Sequence, residues 1–255
     1  MTLLAVERIK LLTTRSPWWC ALITLVVTSG FTALVVGTAN DQFPVTVATT
    51  QFSYSFGLAV IMVLAALAVT TEYRFGTIRT TFQAVPNRGS ALLAKTGVIA
   101  TLALVIGEIT AFACWGLATL LQPTADLALN SGADWINVAG VGVIYALAAV
   151  IAVAVGVLVR HSAGAISLLL IYNLAIEQLV QLIPNAGPKI YEWLPFNVAH
   201  KFITGDGASN AGRSSEAGVP LSTSTLSAGW ALAYFAAFAA VMLAIAITTA
   251  KKRDA

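Results

Sequence analysis

INVAGVGVIYALAAVIAVAVGVLV, residues 136–159, carries no charged side chain in its 24 positions. After Arg160-His161 a second run, SAGAISLLLIYNLAIEQLVQLI, fills 162–183. A helix rises about 1.5 Å per residue and the hydrocarbon core of a bilayer is about 30 Å thick, so each run is long enough to cross as a helix. With only two residues between them, the two runs form a tight helical hairpin. A membrane β-barrel would show short alternating segments instead, and these runs are continuous. The pattern predicts an all-α polytopic membrane protein.

Working outward, four further apolar stretches appear at about 18–38, 53–71, 96–121 and 228–249, which makes six spans. Polar loops lie between them at 39–52, 72–95, 122–135 and 184–227. The composition agrees: 58% of the 255 residues are hydrophobic and 10% are charged, against about 25% charged in a soluble domain. That excludes a water-soluble globule, and the apolar bulk excludes disorder. Two cysteines exclude a disulfide scaffold. Cys20, near one end of its span, and Cys114, near the other end of another, lie too far apart to bridge.

Basic residues fix the orientation. With the N-terminus inside, the cytoplasmic side holds Arg8, Lys10, Arg15, Arg74, Arg79, Arg88, Lys95, Arg160, Lys251, Lys252 and Arg253, 11 of the 14. The outer side holds Lys189, Lys201 and Arg213. Both termini are therefore expected in the cytoplasm and the chain in the plasma membrane. Trp18-Trp19, Trp135 and Trp230 sit at span ends, as interfacial aromatics do. The basic residues face lipid headgroups, and no nucleic-acid partner is implied. The first span is longer than a signal-peptide core, and Gly37-Thr38-Ala39 is a poor cleavage site, so it is read as retained.

No Walker-type phosphate loop, G-x-S-x-G or H-E-x-x-H occurs, and His161 and His200 fall on opposite sides. No catalytic residue and no metal site are expected. The loop at 72–88, EYRFGTIRTTFQAVPNR, is the most informative stretch. A short helix from Thr77 to Val85 should end at Pro86, with a turn at Asn87-Arg88-Gly89. Ile78, Phe82 and Val85 share one face, which either rests on lipid or docks a partner.

This loop resembles the E-Y-R-x-G-T-[IL]-R-x-T-x-x-A-x-P-x-R run of the type-2 ABC exporter permease family, in particular its actinobacterial-like members. The N-terminal Glu7-Arg8-Ile9-Lys10-Leu11 and Arg15-Ser16-Pro17-Trp18-Trp19, and the six-span layout with a long outer loop before the last span, are similar too. The resemblance implies a permease subunit that moves a hydrophobic or amphipathic substrate (a drug, a lipid or similar) outward. Two separate ATP-binding subunits, which bind the ATP and Mg, would dock beneath two permease halves, here preferably two copies of this chain. No cofactor is implied on the chain itself. The loop helix becomes a coupling helix, with Glu72, Arg74, Gly76, Thr77, Arg79, Ala84, Pro86 and Arg88 matching the pattern. Phe75 stands where relatives often carry a polar residue or His, which implies an apolar contact. Residues 3–15 become an interfacial helix, with Ala5, Ile9 and Leu12 on one face and Glu7, Lys10 and Thr14 on another.

Glu108 lies mid-way along the third span. In the fifth, Asn173, Glu177 and Gln181 recur every four residues and share a helix face, with Gln178 beside them. Such groups either line a substrate path or outer gate, couple transport to protons or cations, or hydrogen-bond between helices for about 0.6–2 kcal/mol each. Phe52, Tyr54 and Phe56 open the second span as a hydrophobic gate or an aromatic belt. The outer loop should carry short capping helices between Pro184 and Gly205, while Gly207 to Ser227 reads as a flexible linker. Two alternatives to the ATP-driven exporter stand beside it. One is a gradient-driven secondary transporter using Glu108 and Glu177, the other a membrane anchor or immunity subunit without defined flux.

Overall fold

In a computed structural model of the chain, residues 3–39, 45–85, 87–204 and 222–252 are described. The hairpin at Arg160 is present. Helix α6 (Gly132–Val159) ends on Arg160, whose backbone is left-handed (φ 56°). His161 then caps α7 (Ser162–Ile171), its Nδ1 accepting from the Gly164 N–H at 3.1 Å. Before the hairpin come α1 (Leu3–Thr13), α2 (Ser16–Gly37), a 3₁₀ turn (Ala48–Gln51), α3 (Tyr54–Arg74), α4 (Thr77–Ala84) and α5 (Arg88–Leu121). After it come a π turn (Tyr172–Ile176), α8 (Glu177–Val180), α9 (Gly187–Tyr191), α10 (Pro195–Thr204) and α11 (Ala228–Lys252). Six helical stretches are long and apolar enough to cross a membrane, and each overlaps one expected span. The chain is an all-helical, multi-pass membrane protein, with no strand among the described residues.

Helix α6 is the axis of the bundle and packs against α3, α5, α10 and α11. The most apolar 18-residue window of α6 is 72% buried, against 22% for α2 and 17% for Ser162–Val180. Glycine makes this density reachable, because small residues let helix backbones approach. A Cβ on Gly107 of α5 would lie 2.7 Å from the Gly142 Cα, and one on Gly140 would lie 2.8 Å from the Phe202 ring of α10. Helix α2 is peripheral and turns its hydroxyls inward: Thr24, Thr28 and Thr32 are buried while Leu22, Val26 and Leu34 stay exposed. Lipid satisfies the apolar face, so the polar face is the one the protein must cover.

Three local differences from the expected layout have physical causes. Residues 88–95, expected as loop, are the first two turns of α5. Its 34 residues span about 51 Å, more than the roughly 30 Å core, so one end projects. The expected turn at Asn87-Arg88-Gly89 is that helix's start: the Asn87 side chain accepts from the N–H groups of Gly89 and Ser90. The fifth span is not one continuous α-helix to 183. Its π turn delivers Glu177 to a buried position beside the start of α10, and α-helical structure ends at Val180.

Candidate functional site

Chemistry-bearing side chains gather at the two ends of α3. At the Arg74 end, Gly76 makes the elbow from α3 into α4 with φ 72°, a backbone conformation glycine adopts without a Cβ penalty. Helix α4 then folds back so that Ile78 is buried and Phe82 packs on the core. The apolar face expected to need a partner is therefore covered largely by the chain itself. What faces outward is Arg74, Phe75, Thr77, Arg79, Thr80, Gln83 and Ala84, with Phe75 72% exposed and Arg74 set 5.6 Å from its ring. Arg88 turns inward, 5.4 Å from the Phe82 ring and donating to the Ala250 carbonyl of α11 at 3.3 Å. Pro86 lies outside the described residues.

Behind α4 sits a cluster of four charges. Lys95 Nζ donates to Glu7 at 2.5 Å and to Glu72 at 2.8 Å. Lys10 donates to Glu7 at 2.9 Å, lies 3.6 Å from Glu72 and reaches the Thr81 hydroxyl of α4 at 3.3 Å. The side chains of Lys95 and Glu7 are 6% and 8% exposed, so this is a largely dehydrated cluster balanced two against two. It joins α1, the end of α3, the start of α5 and α4. Glu72 thus points into the cluster rather than to the outward face of α4. Burial pushes the Glu7 carboxyl up, but the two ammonium groups outweigh it and hold the group below the usual carboxylate range. For Lys10 burial lowers the amine, and Glu7 and Glu72 outweigh that and raise it. With Glu7 turned in, Leu4, Ile9 and Leu12 of α1 face outward.

The opposite end of α3 is held by neutral groups and one carboxylate. Glu177 is 2% exposed, and its two oxygens accept from the backbone N–H groups of Phe196 and Asn197, at 3.1 and 3.0 Å. These are orphan donors in the first turn of α10, where a negative charge is favoured. Asn197 extends the knot: its amide donates to the Tyr191 carbonyl and to Thr223, and Ser222 donates to its backbone and side-chain oxygens. Tyr54 stacks on His200 of α10 with ring centroids 5.6 Å apart, its hydroxyl 3.1 Å from Nδ1. Below it, Tyr145 donates to the Tyr54 carbonyl, Ser53 donates to the Thr28 carbonyl and lies 2.7 Å from the Thr32 hydroxyl, and Gln51 reaches the Ala111 carbonyl.

The structure separates some residues that the sequence groups. Asn173 is half-buried and Gln181 is exposed, bonded to Gln178, so the three polar residues of the fifth span sit in different surroundings. Of the three aromatics, Tyr54 faces in, Phe52 is half-buried, and Phe56 faces out against Phe31, ring centroids 4.7 Å apart. Glu108 belongs to neither end and lies over Gly142. Cys20 and Cys114 are free thiols.

Sequence reasoning missed Glu7, Lys10 and Lys95 as one unit, and it missed Asn197 entirely. A readable signal existed for the α2 hydroxyls, because Thr24, Thr28 and Thr32 recur every four residues on one helix face. Compared with known proteins, the chain matches no family model and no curated protein.

Proposed function

We propose that this chain is the membrane subunit of an ATP-driven exporter, moving a hydrophobic or amphipathic molecule outward with the help of separate ATP-binding subunits. The observation that carries the reading is the build of α4. An eight-residue helix stands on a glycine elbow, its inner side fixed by Ile78, Phe82 and the Lys10–Thr81 bond, its outer side left to Phe75, Arg79 and Gln83. A helix braced from behind and polar-aromatic in front passes a push from a docked motor to α3 and α5 without deforming. The E-Y-R-F-G-T-I-R-T-T-F-Q-A-V-P-N-R run, with its resemblance to type-2 ABC exporter permeases, supports the same reading. The α4 end collects most of the basic residues, which by the positive-inside rule supports reading it as the cytoplasmic end. Two copies of the chain would complete the pathway, and α9 and α10, anchored on Glu177, would close its outer mouth.

Affinity purification from the native membrane in mild detergent tests this. A Walker-containing subunit should co-elute in equal amount with vanadate-sensitive ATPase activity. Phe75→Asp and Arg79→Glu should abolish co-elution while leaving the thermal stability of the chain unchanged. Elution of the chain alone across several mild detergents would overturn the reading.

A further inference from the structure

Three of the carboxylates inside the bundle have their charge answered: Glu7 and Glu72 by lysines, Glu177 by backbone N–H groups. Glu108 is different. It sits near the middle of α5, half-buried, and no described residue donates a hydrogen bond or an ion pair to it. Its carboxyl rests on Gly142 of α6, where any Cβ would collide with it, so the glycine forms the seat. One turn along α5 on the same face stands Phe112, with the Trp115 and Trp135 rings 6.5 and 6.3 Å away. Val105 and Ile109, 45% and 58% exposed, form the outward rim. The result is a partly exposed flank of two closely packed membrane-spanning helices, with one carboxyl that no described residue answers and an aromatic cluster one turn away.

We propose that this flank binds a hydrophobic organic cation, whose charge pairs with Glu108 and whose apolar body lies along Phe112 and the two tryptophans. Charge complementarity selects this occupant. An unpaired carboxylate on a low-dielectric helix flank is costly, and a ligand that brings the opposite charge removes that cost. Aromatic faces attract cations further, most when both are out of water. A neutral lipid tail would cover the flank but leave the carboxyl unanswered. The site does not rest on the exporter reading, because binding is a property of this chain without any ATPase.

The test is equilibrium binding of radiolabelled tetraphenylphosphonium to the full chain in lipid nanodiscs, with triphenylphosphine oxide as the neutral competitor. Saturable binding is expected at one site per chain, resistant to the neutral competitor. Glu108→Gln should weaken it at least tenfold and Phe112→Leu several-fold. The midpoint of thermal unfolding shows whether Glu108→Gln still folds. If it does not, Glu108→Asp and Phe112→Leu decide instead, the first retaining binding and the second weakening it. Absence of saturable binding, equal binding by Glu108→Gln, or equal displacement by the phosphine oxide would each overturn the proposal. Disulfide cross-linking between copies through Glu108→Cys would also overturn it, by giving the flank to a second copy of the chain.

Discussion

The two ends of α3 are tied to their neighbours by different chemistry. At the α4 end, side-chain charges meet side-chain charges: Glu7 and Lys10 of α1, Glu72 of α3 and Lys95 of α5 tie three helices together, and Lys10 reaches α4 through the Thr81 hydroxyl. At the α10 end, one carboxylate meets main-chain N–H groups, and hydroxyls meet carbonyls. The first kind of joint is set by which charge stands where and is therefore exchangeable in principle. The second depends on backbone position and admits only an acceptor. A helix that must transmit force is served by the first, since ion pairs keep their attraction over a range of distances. A helix that must seat or unseat as a unit is served by the second, since both bonds form or break together.

The largest effect is expected from Lys95→Met. It leaves Glu7 and Glu72 buried with Lys10 as their one remaining counter-charge. Breaking a buried pair from one side costs about 3–5 kcal/mol. Thermal unfolding in detergent should show the loss, with α1 becoming open to proteolysis. Charge exchange by Glu7→Lys with Lys95→Glu should recover part of it, and only part, because Glu72 would then face a carboxylate. Full loss without any recovery would show that shape and not charge holds this end.

Glu177→Gln should cost less, about 1–3 kcal/mol, because one oxygen remains to accept and the shape is kept. Its signature is local. Hydrogen exchange of the Phe196 and Asn197 amides should accelerate while amides of α4 stay protected. No second-site charge should restore it, since its partners are backbone groups. Rescue by a charge placed elsewhere in α10 would collapse the distinction between the two ends.

The sequence reveals these regions unequally, for physical reasons. The six spans are legible because the length and apolarity of a run are local properties. The limits of α4 are legible because Gly76 and Pro86 punctuate the chain, whereas Asn87 reads as a turn residue and the two polar turns it starts are taken for loop. The charge cluster is not legible, since residues 7, 72 and 95 meet through tertiary packing, and Lys95 reads as one more basic residue at a span end. The partner of Glu177 is hidden for another reason. Spacing places Asn173, Glu177 and Gln181 on one face, but main-chain N–H groups in the first turn of another helix leave no trace in residue identity. Glu108 is visible as an ionisable group in a span, while its seat on Gly142 emerges only from the crossing of α5 and α6.

A smaller effect separates the hydroxyl ladder from the Glu177 knot. Thr32→Val keeps the shape and removes the contact with Ser53 and the bond to the Thr50 carbonyl. About 1 kcal/mol of stability should go, the ordinary net worth of a neutral hydrogen bond, with no change in Phe196 exchange. Accelerated exchange there would make the ladder and the knot one cooperative unit.

The smallest effect is the pH response of the charge cluster, which should be flat across neutrality. Glu7 is held below its usual 4.5, so its contribution is complete above that value and is lost only as pH falls through the lowered one. Lys10 is raised above its usual 10.5, so its contribution is complete below that value and is lost as pH rises through the raised one. Between 4.5 and 10.5 neither group changes the stability of the α4 end. The difference in unfolding midpoint between the chain and Glu7→Gln, followed over pH, should therefore be a plateau that narrows at the acid edge. A slope at neutral pH would place a titrating proton inside the cluster.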